Sequence, residues 1–362
     1  MRCQLAHGLN VHGISPADDT IPAERQQSIG DLPITEFDRG RSAELDLVLP
    51  SLDGGQAGAV LHFHGIAPWM DRMAKVLRKR GIPYVFTSHG HLHYHGWSHG
   101  LKKWIYLNFV DRFLRGASGL HFLSEREKER SRAILPWGRK SVLVQSNLIQ
   151  LPDEAEITPA DRADLDIPAD AFIFAYLGRL DVEHKGLDIL LKAFSLLSHG
   201  RGDRKPDQLP DSFPHLLMIG PDWAGGQARL EELARQLDQS SRVHFLGPRM
   251  GEAKWSLLKM AGAFVSPSRW EACSISQAEA IGLGLPTIVS DEINMAPEMV
   301  AAHAALASPL TTDRLAAAMR QVQADGDLQR TLSESGRKWA AETCSAEKAG
   351  ERFAKFYRAV LG

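Results

Sequence analysis

The sequence predicts an α/β protein made of two doubly wound, Rossmann-like domains, each built on a parallel sheet. Three observations predict it. Short apolar runs alternate with amphipathic helical patterns from Phe172 to Ser290, and that alternation is the signature of βαβ units. The runs are apolar at nearly every position, as strands covered by helices on both faces must be. The chain has 362 residues, which at ~100–200 residues per domain leaves room for two domains.

The second half reads most cleanly. A strand is expected over residues 172–177, ending at Gly178. Leu187, Leu190, Leu191 and Phe194 then recur at helical spacing. Residues 215–219 form the next expected strand, and Leu230, Leu233, Ala234 and Leu237 mark the helix after it. Strands at 243–246, 263–266 and 286–290 follow, with helices at 251–260 and 275–283 between them. Ligands bind such sheets at the carboxyl ends of the strands, where loops and helix N-termini gather.

The first half alternates less regularly. Strands are expected at 59–63, 83–87, 119–123 and 141–145, and helices at 69–80 and 101–115. Residues 1–40 lack the apolar strand and Gly-rich turn that open a doubly wound domain. That first strand and its loop are therefore expected to be missing or remodelled. Residues 148–170, rich in Pro, Asp and Ala, read as a linker, and 199–214 as a polar surface loop. The expected divisions are 1–150, 168–344 and a final amphipathic helix within 345–362, whose apolar positions include Ala349, Phe353, Phe356, Tyr357 and Val360.

Totals exclude several classes. A net charge of -2 carries no polyanion-binding signature, so no nucleic-acid partner is indicated. Cys3, Cys273 and Cys344 are few and far apart. They fit neither a disulfide scaffold nor a zinc site, and they suit a reducing compartment. The first residues lack the apolar core of a secretory signal. No run approaches the ~18 apolar residues of a membrane span. A cytoplasmic protein is the expectation.

Three loops carry the chemistry. The first runs from Gly178 and Arg179 to Lys185 and Gly186. Arg179 offers a planar fork and Lys185 a mobile point charge, and both can converge on one diphosphate near a helix start that already favours anions. The bland alternative is a solvated basic turn. The second runs from Pro267 through Glu271, Ser274 and Ile275 to Glu279. A carboxylate there can accept hydrogen bonds from vicinal hydroxyls of a ribose or hexose. Ser276-x-x-Glu279 is also a capping box, which would make Glu279 structural, whereas Ser274-x-x-Gln277 is an equally good box that leaves it free. The third, Gly247 to Lys254, places Arg249 and Met250 where they could border a nucleobase, or it is a plain strand-to-helix turn.

The stretches LGRLDVEHKGLDILLKAF and FLGPRMGEAKWSLLKMAGAFVSPSRWEACSISQAEAIGLGLPTIVSD resemble glycosyltransferase family 4. GIPYVFTSHGHLHYHGWSHGLKKWIYLNF and GLHFLSEREKER resemble it less specifically. The resemblance implies a retaining enzyme of the GT-B fold, with two Rossmann-like domains facing a central cleft and the last helix crossing back to the first domain. It implies that Arg179 and Lys185, with Gly178, hold the donor diphosphate. Glu271 would contact the transferred sugar and Glu279 the ribose, with amides near Ser274 and Ile275 on sugar or phosphate oxygens. His89 would line the cleft beside the reacting sugar. Ala272 and Ser274 stand where the family usually has Gly, and Asn147 where it often has Asn-Gly.

Two cations at the leaving oxygen could stabilise a departing nucleoside diphosphate without a metal. Asp164-Leu-Asp166 and Asp325-Gly-Asp327 read as solvated turns, not metal sites. His89, His91, His93, His95 and His99 are crowded, yet Gly90 and Gly96 indicate an irregular loop rather than a strand of ligands. The helix at 101–115 is basic and aromatic. It reads as a core helix, with peripheral contact at the inner face of the plasma membrane as the alternative. The leading expectation is a retaining, metal-independent transferase using a UDP- or GDP-sugar and a saccharide or lipid-linked acceptor, with no cofactor. The alternatives are a non-catalytic sugar-nucleotide-binding subunit and a nucleotide-sugar epimerase or glycosyl phosphorylase on the same architecture.

Overall fold

The computed structural model describes residues 13–16, 34–37, 59–65, 68–90, 112–132, 138, 140–199 and 213–362. The chain divides into two compact units, one comprising Met1–Ser146 with Ala346–Gly362, the other Asn147–Ser345.

In the first unit, β1 (Gly13–Pro16) and β2 (Ile34–Phe37) pair in parallel as a sheet of their own. A second sheet has the order β3-β4-β5-β6, all parallel. Its strands are β3 (Leu61–His64), β4 (Tyr84–Thr87), β5 (Gly119–Phe122) and β6 (Ser141–Val144). The helix α1 (Pro68–Lys79) opens with Pro, carries Asp71 in its first turn and Arg78 and Lys79 in its last. Each placement suits the unpaired groups and dipole at that end. Met70, Met73, Ala74 and Leu77 fall on one stripe and bury against Phe63, Tyr84, Phe86, Leu120 and Phe122. The other face of this sheet is covered by the final helix described below.

Between β5 and β6 lies α2 (Glu125–Arg132), which contains no apolar residue. It is held at its start instead. Ser124 accepts from the Glu127 amide at 3.1 Å, and the Glu127 carboxylate turns back to accept from the Leu123 amide at 2.7 Å. The expected helix at 101–115 falls mostly outside the described residues, with only 112–116 seen as helical.

The second unit is a six-stranded parallel sheet of order β12-β11-β10-β7-β8-β9. Its strands are β7 (Ile173–Leu177), β8 (His215–Ile219), β9 (Val243–Gly247), β10 (Ala263–Ser266), β11 (Thr287–Ser290) and β12 (Leu306–Ser308). Helices follow the strands: the one-turn α3 (Val182–Lys185), then α4 (Leu187–His199), α5 (Gly226–Gln236), α6 (Gly251–Met260), α7 (Ile275–Gly282) and α8 (Ala296–Ala301). Two more, α9 (Thr312–Ala324) and α10 (Gly326–Thr343), complete the unit.

Strand alternation decides which helix packs where. Phe174 and Tyr176 face Leu187, Leu190, Leu191, Phe194, Leu230, Leu315 and Met319 on one side. Ile173 and Ala175 face Leu257, Leu258, Met260 and Ala280 on the other. Ile157 and Ile167, from the expected linker, are buried in this second cluster, so that stretch packs onto the second unit. Asp164 lies in a short 3₁₀ turn ended by Asp166, and Asp325 caps α10 by accepting from the Leu328 amide. Both Asp-x-Asp patterns are thus turn and cap residues.

The final helix, α11 (Ala346–Leu361), belongs to the first unit. Its Phe356 packs so tightly on β5 that a Cβ at Gly119 would stand 2.8 Å from the ring. Beneath it runs a buried polar chain. Tyr357 Oη lies 2.7 Å from His62 Nδ1, His62 Nε2 2.6 Å from Thr87 Oγ1, and Thr87 Oγ1 2.7 Å from His121 Nδ1. His121 Nε2 lies 2.8 Å from the Gln145 carbonyl, which can only accept. That fixes the direction of every bond: Tyr357 donates to His62, His62 to Thr87, Thr87 to His121, and His121 to Gln145.

Candidate functional site

In the second unit the strand order reverses between β7 and β10. The loops leaving the carboxyl ends of those two strands carry Lys185 and Glu271, and the two side chains form an ion pair. Both are largely buried, at 14% and 15% side-chain exposure. The reason they meet is steric and local. Gly186 ends α3 in the left-handed conformation at φ 65°, and a Cβ there would stand 2.1 Å from the Pro267 carbonyl oxygen. Only glycine lets the two loops touch. A second close approach holds the base of the first loop, since a Cβ at Gly220 would stand 1.8 Å from the Gly178 oxygen.

The loop after β10 is pinned at alternate residues. The Arg269 amide donates to the His184 oxygen at 2.9 Å, the Asn294 amide to the Glu271 oxygen at 3.0 Å, and Asn147 Nδ2 to the Cys273 oxygen at 3.0 Å. Asn147 therefore acts on this loop's backbone. Ser274 is the N-cap of α7 and accepts from the Gln277 amide at 3.4 Å. Ser274, not Ser276, is thus the cap, but the reciprocal half of the box is not made, because the Gln277 side chain turns to donate to Ser266 Oγ; Glu279 is left free of capping. It pairs instead with Lys254 of α6, Oε1 to Nζ 2.8 Å, at 12% and 17% exposure. Ile275, the first residue of α7, is half exposed at 50%. With the Gln277 amide capped by Ser274, the first-turn amides that remain without a partner within the helix are those of Ile275 and Ser276.

Arg179 and Lys185 hold separate partners. The Arg179 guanidinium lies 4.2 Å from the centre of the Trp223 ring, and its carbonyl accepts from Tyr176 Oη at 2.7 Å. Burial raises the Tyr176 hydroxyl above the ordinary tyrosine range. Arg249 reaches the Pro248 carbonyl at 3.4 Å, and Met250 is 65% exposed at the start of α6.

In the first unit, His89 adopts the left-handed conformation at φ 46°, which is uncommon for a side-chain-bearing residue. Its neighbours on both sides are tied to one carboxylate. Ser88 Oγ donates to Glu127 Oε1, and the Gly90 amide donates to the same oxygen at 2.8 Å. The ring of His89 stands 3.0 Å from His64, Nε2 to Nδ1. His91, His93, His95 and His99 lie outside the described residues, among which no cluster of three or more His, Cys, Asp or Glu could hold a metal. Glu127, His64, Lys254, Arg269 and Trp223 carry no role in the sequence reading. The Ser124-x-x-Glu127 box is the one signal that marks any of them.

Comparison with known proteins defines the class. The structure is similar to sucrose-phosphate synthase from Thermosynechococcus elongatus, with a TM-score of 0.73 and 19% identity, covering 98% of this chain and 90% of that one. It is similar to HepE from Anabaena in complex with UDP, with a TM-score of 0.74 and 17% identity, covering 98% and 94%. At such identities the likeness establishes the fold alone, and that fold is GT-B. Residues 158–339 match the family described as "Glycosyl transferases group 1", and residues 5–147 the "Glycosyl transferase 4-like domain". The chain belongs to the group 1 glycosyl transferases. It is 31% identical over 179 residues to the lipopolysaccharide core biosynthesis glycosyltransferase LpsD of Rhizobium meliloti, covering 49% of this chain and 47% of that protein. It is 30% identical over 142 residues to the D-inositol 3-phosphate glycosyltransferase of Corynebacterium kroppenstedtii, covering 38% and 30%. The match thus spans less than half the length of both relatives.

Proposed function

We propose that this protein transfers a sugar, with retention and without a metal, from a UDP- or GDP-sugar to a saccharide or glycolipid acceptor. The observation that carries the reading is the cation–carboxylate pair Lys185–Glu271 on loops flanking the strand-order reversal, with a second pair, Lys254–Glu279, joining α6 to α7. Donor recognition needs cations for a diphosphate and carboxylates for hydroxyls. Lys185 and Arg179 take the diphosphate, Glu271 the transferred sugar and Glu279 the ribose. Arg249 and Met250 border the base, and the amides at Ser274 and Ile275 take phosphate or sugar oxygens. A similar structure, HepE, is a complex with UDP, which supports a uridine donor.

The chemistry follows from charge. Cleavage leaves a nucleoside diphosphate whose new charge the cations stabilise. The departing phosphate accepts the proton of the incoming hydroxyl on the same face of the sugar, so retention needs no base from the protein. His89 is proposed as a catalytic residue on the strength of the family resemblance, with Glu271. No helix among the described residues is long and apolar enough to cross a membrane. Reaching a lipid-linked acceptor by peripheral contact belongs to the same proposal.

Titration calorimetry with UDP, GDP and ADP tests the reading. Binding of one of them in the micromolar range, weakened at least tenfold by Lys185→Ala, is expected. No binding of any of the three refutes it. Transfer of labelled sugar to a membrane extract separates an enzyme from a binding subunit.

A further inference from the structure

Lys185 rides on a helix of a single turn, Val182–Lys185. One turn does not hold itself together, because forming it fixes several residues for few internal bonds. Its start is capped by Asp181, which accepts from the His184 amide at 3.0 Å. At its exit the Val182 carbonyl accepts from the Gly186 amide, while the carbonyls of Glu183 and His184 have no partner within the turn.

Arg269 takes both of those carbonyls and also reaches that of Val182. Its Nη1 donates to the Glu183 oxygen at 2.6 Å and to the Val182 oxygen at 3.3 Å, and its backbone amide donates to the His184 oxygen at 2.9 Å. The same guanidinium makes a two-pronged bond to Asp188 in the first turn of α4, at 2.9 and 2.8 Å. Asp188 in turn raises the Arg269 guanidinium above its ordinary range. Arg269 is two residues from Glu271 in sequence, while all its partners belong to the loop and helices around Lys185. Its side-chain bonds go to Val182, Glu183 and Asp188, not to either member of the Lys185–Glu271 pair.

We infer that Arg269, locked by Asp188, is a positioning residue for the donor diphosphate: it fixes the one-turn helix so that Lys185 is aimed before the ligand arrives. A planar fork is required. An ammonium cannot serve two carbonyls and both carboxylate oxygens at once in the same plane. This rests on the proposed function, because it assumes that Lys185 meets phosphate.

A merely structural clamp and a positioning clamp differ in what they do to selectivity between ligands. The full chain is titrated with the nucleoside diphosphate that binds the wild type (UDP, GDP or ADP) and with the matching nucleoside monophosphate. Arg269→Gln is expected to weaken the diphosphate about tenfold and to leave the monophosphate nearly unchanged. Asp188→Asn keeps the guanidinium on the carbonyls and is expected to give a smaller loss in the same direction. Arg269→Gln combined with Lys185→Ala is expected to bind the diphosphate no more weakly than Lys185→Ala alone, since an unaimed and an absent ammonium are equivalent. Full diphosphate preference in both Arg269→Gln and Asp188→Asn, or losses that add completely in the double variant, overturns the inference while leaving the donor site standing. A wild type that binds no nucleoside diphosphate overturns both.

Discussion

Glu127 offers the sharpest test of the first unit's architecture. It is fully buried, and its two oxygens accept three bonds, from Ser88 Oγ, the Gly90 amide and the Leu123 amide. Glu127→Gln keeps the shape and removes one acceptor. The best placement puts the amide oxygen where Oε1 sits, retaining Ser88 and Gly90, and turns the NH₂ toward the Leu123 amide, donor against donor. One charge-assisted bond is lost, about 1.5–3 kcal/mol, and the buried amide left unpaired adds to it. We expect a local destabilisation of about 2–3 kcal/mol. Glu127→Ala, which strips all three bonds, is expected to cost about 4 kcal/mol or more on the same scale. A two-unit chain need not unfold in one step, so the assay is amide hydrogen exchange on peptides spanning 84–90 and 119–124. Protection at Gly90 and Leu123 should fall in the Gln variant while the second unit is unchanged. Exchange within about 0.5 kcal/mol of the wild type at both amides would refute the assignment.

Other outcomes follow from the same structure. Burial holds His121 down at about 3, and burial followed by the charges of His64 and His121 holds His62 well below the ordinary histidine range. The unfolded chain therefore binds more protons from about pH 6.5 downward, so the first unit keeps full stability above that pH and loses it as pH falls toward about 3. Exchange protection of β4 and β5 that stays flat from pH 7.5 to 5 would contradict this. Tyr357→Phe removes the first donor of the same chain and should loosen α11 by about 1 kcal/mol, read from exchange in that helix. Gly186→Ala meets both a left-handed backbone and the Pro267 oxygen. It should cost the second unit more than about 2 kcal/mol in urea unfolding, whereas Gly251→Ala, at φ 54° but with open space around it, should cost about 1–2 kcal/mol. Equal costs would show that the loops tolerate separation.

How much of this was readable from residues alone depends on where the stabilising contacts lie. β8, β10 and β11 are buried at every position, and β7 at all but its last, so unbroken apolar runs reveal them. β12 is a three-residue edge strand with one buried position, too short to leave a pattern. α2 has no apolar stripe at all, and its helicity comes from a capping box, so periodicity passes over it. The opening segment carries two short strands that pair with each other rather than joining the larger sheet, and neither has an apolar run to announce it. Within the candidate site, residues on strand-to-helix loops are legible because the fold class says where such loops gather. The choice between Ser274 and Ser276 as cap is not, because both boxes are chemically sound and only the backbone geometry separates them. Arg269 is invisible locally, since every side-chain partner it has lies more than 80 residues earlier.

If the donor binds as proposed, the pairing of Lys185 with Glu271 turns that binding into an exchange of anions. Under the proposed function, a diphosphate arriving at Lys185 takes the place that the carboxylate occupies, and the displaced carboxylate becomes available to sugar hydroxyls. The two halves of the donor are then recognised in one event, each compensating what the other disrupts. A nucleoside diphosphate without its sugar evicts the carboxylate and offers it nothing in return. Such a product is bound at a disadvantage relative to the donor, which favours its departure after transfer. Glu271→Gln removes the tenant from Lys185, and is therefore expected to tighten the bare diphosphate while it abolishes the preference for the sugar-bearing form.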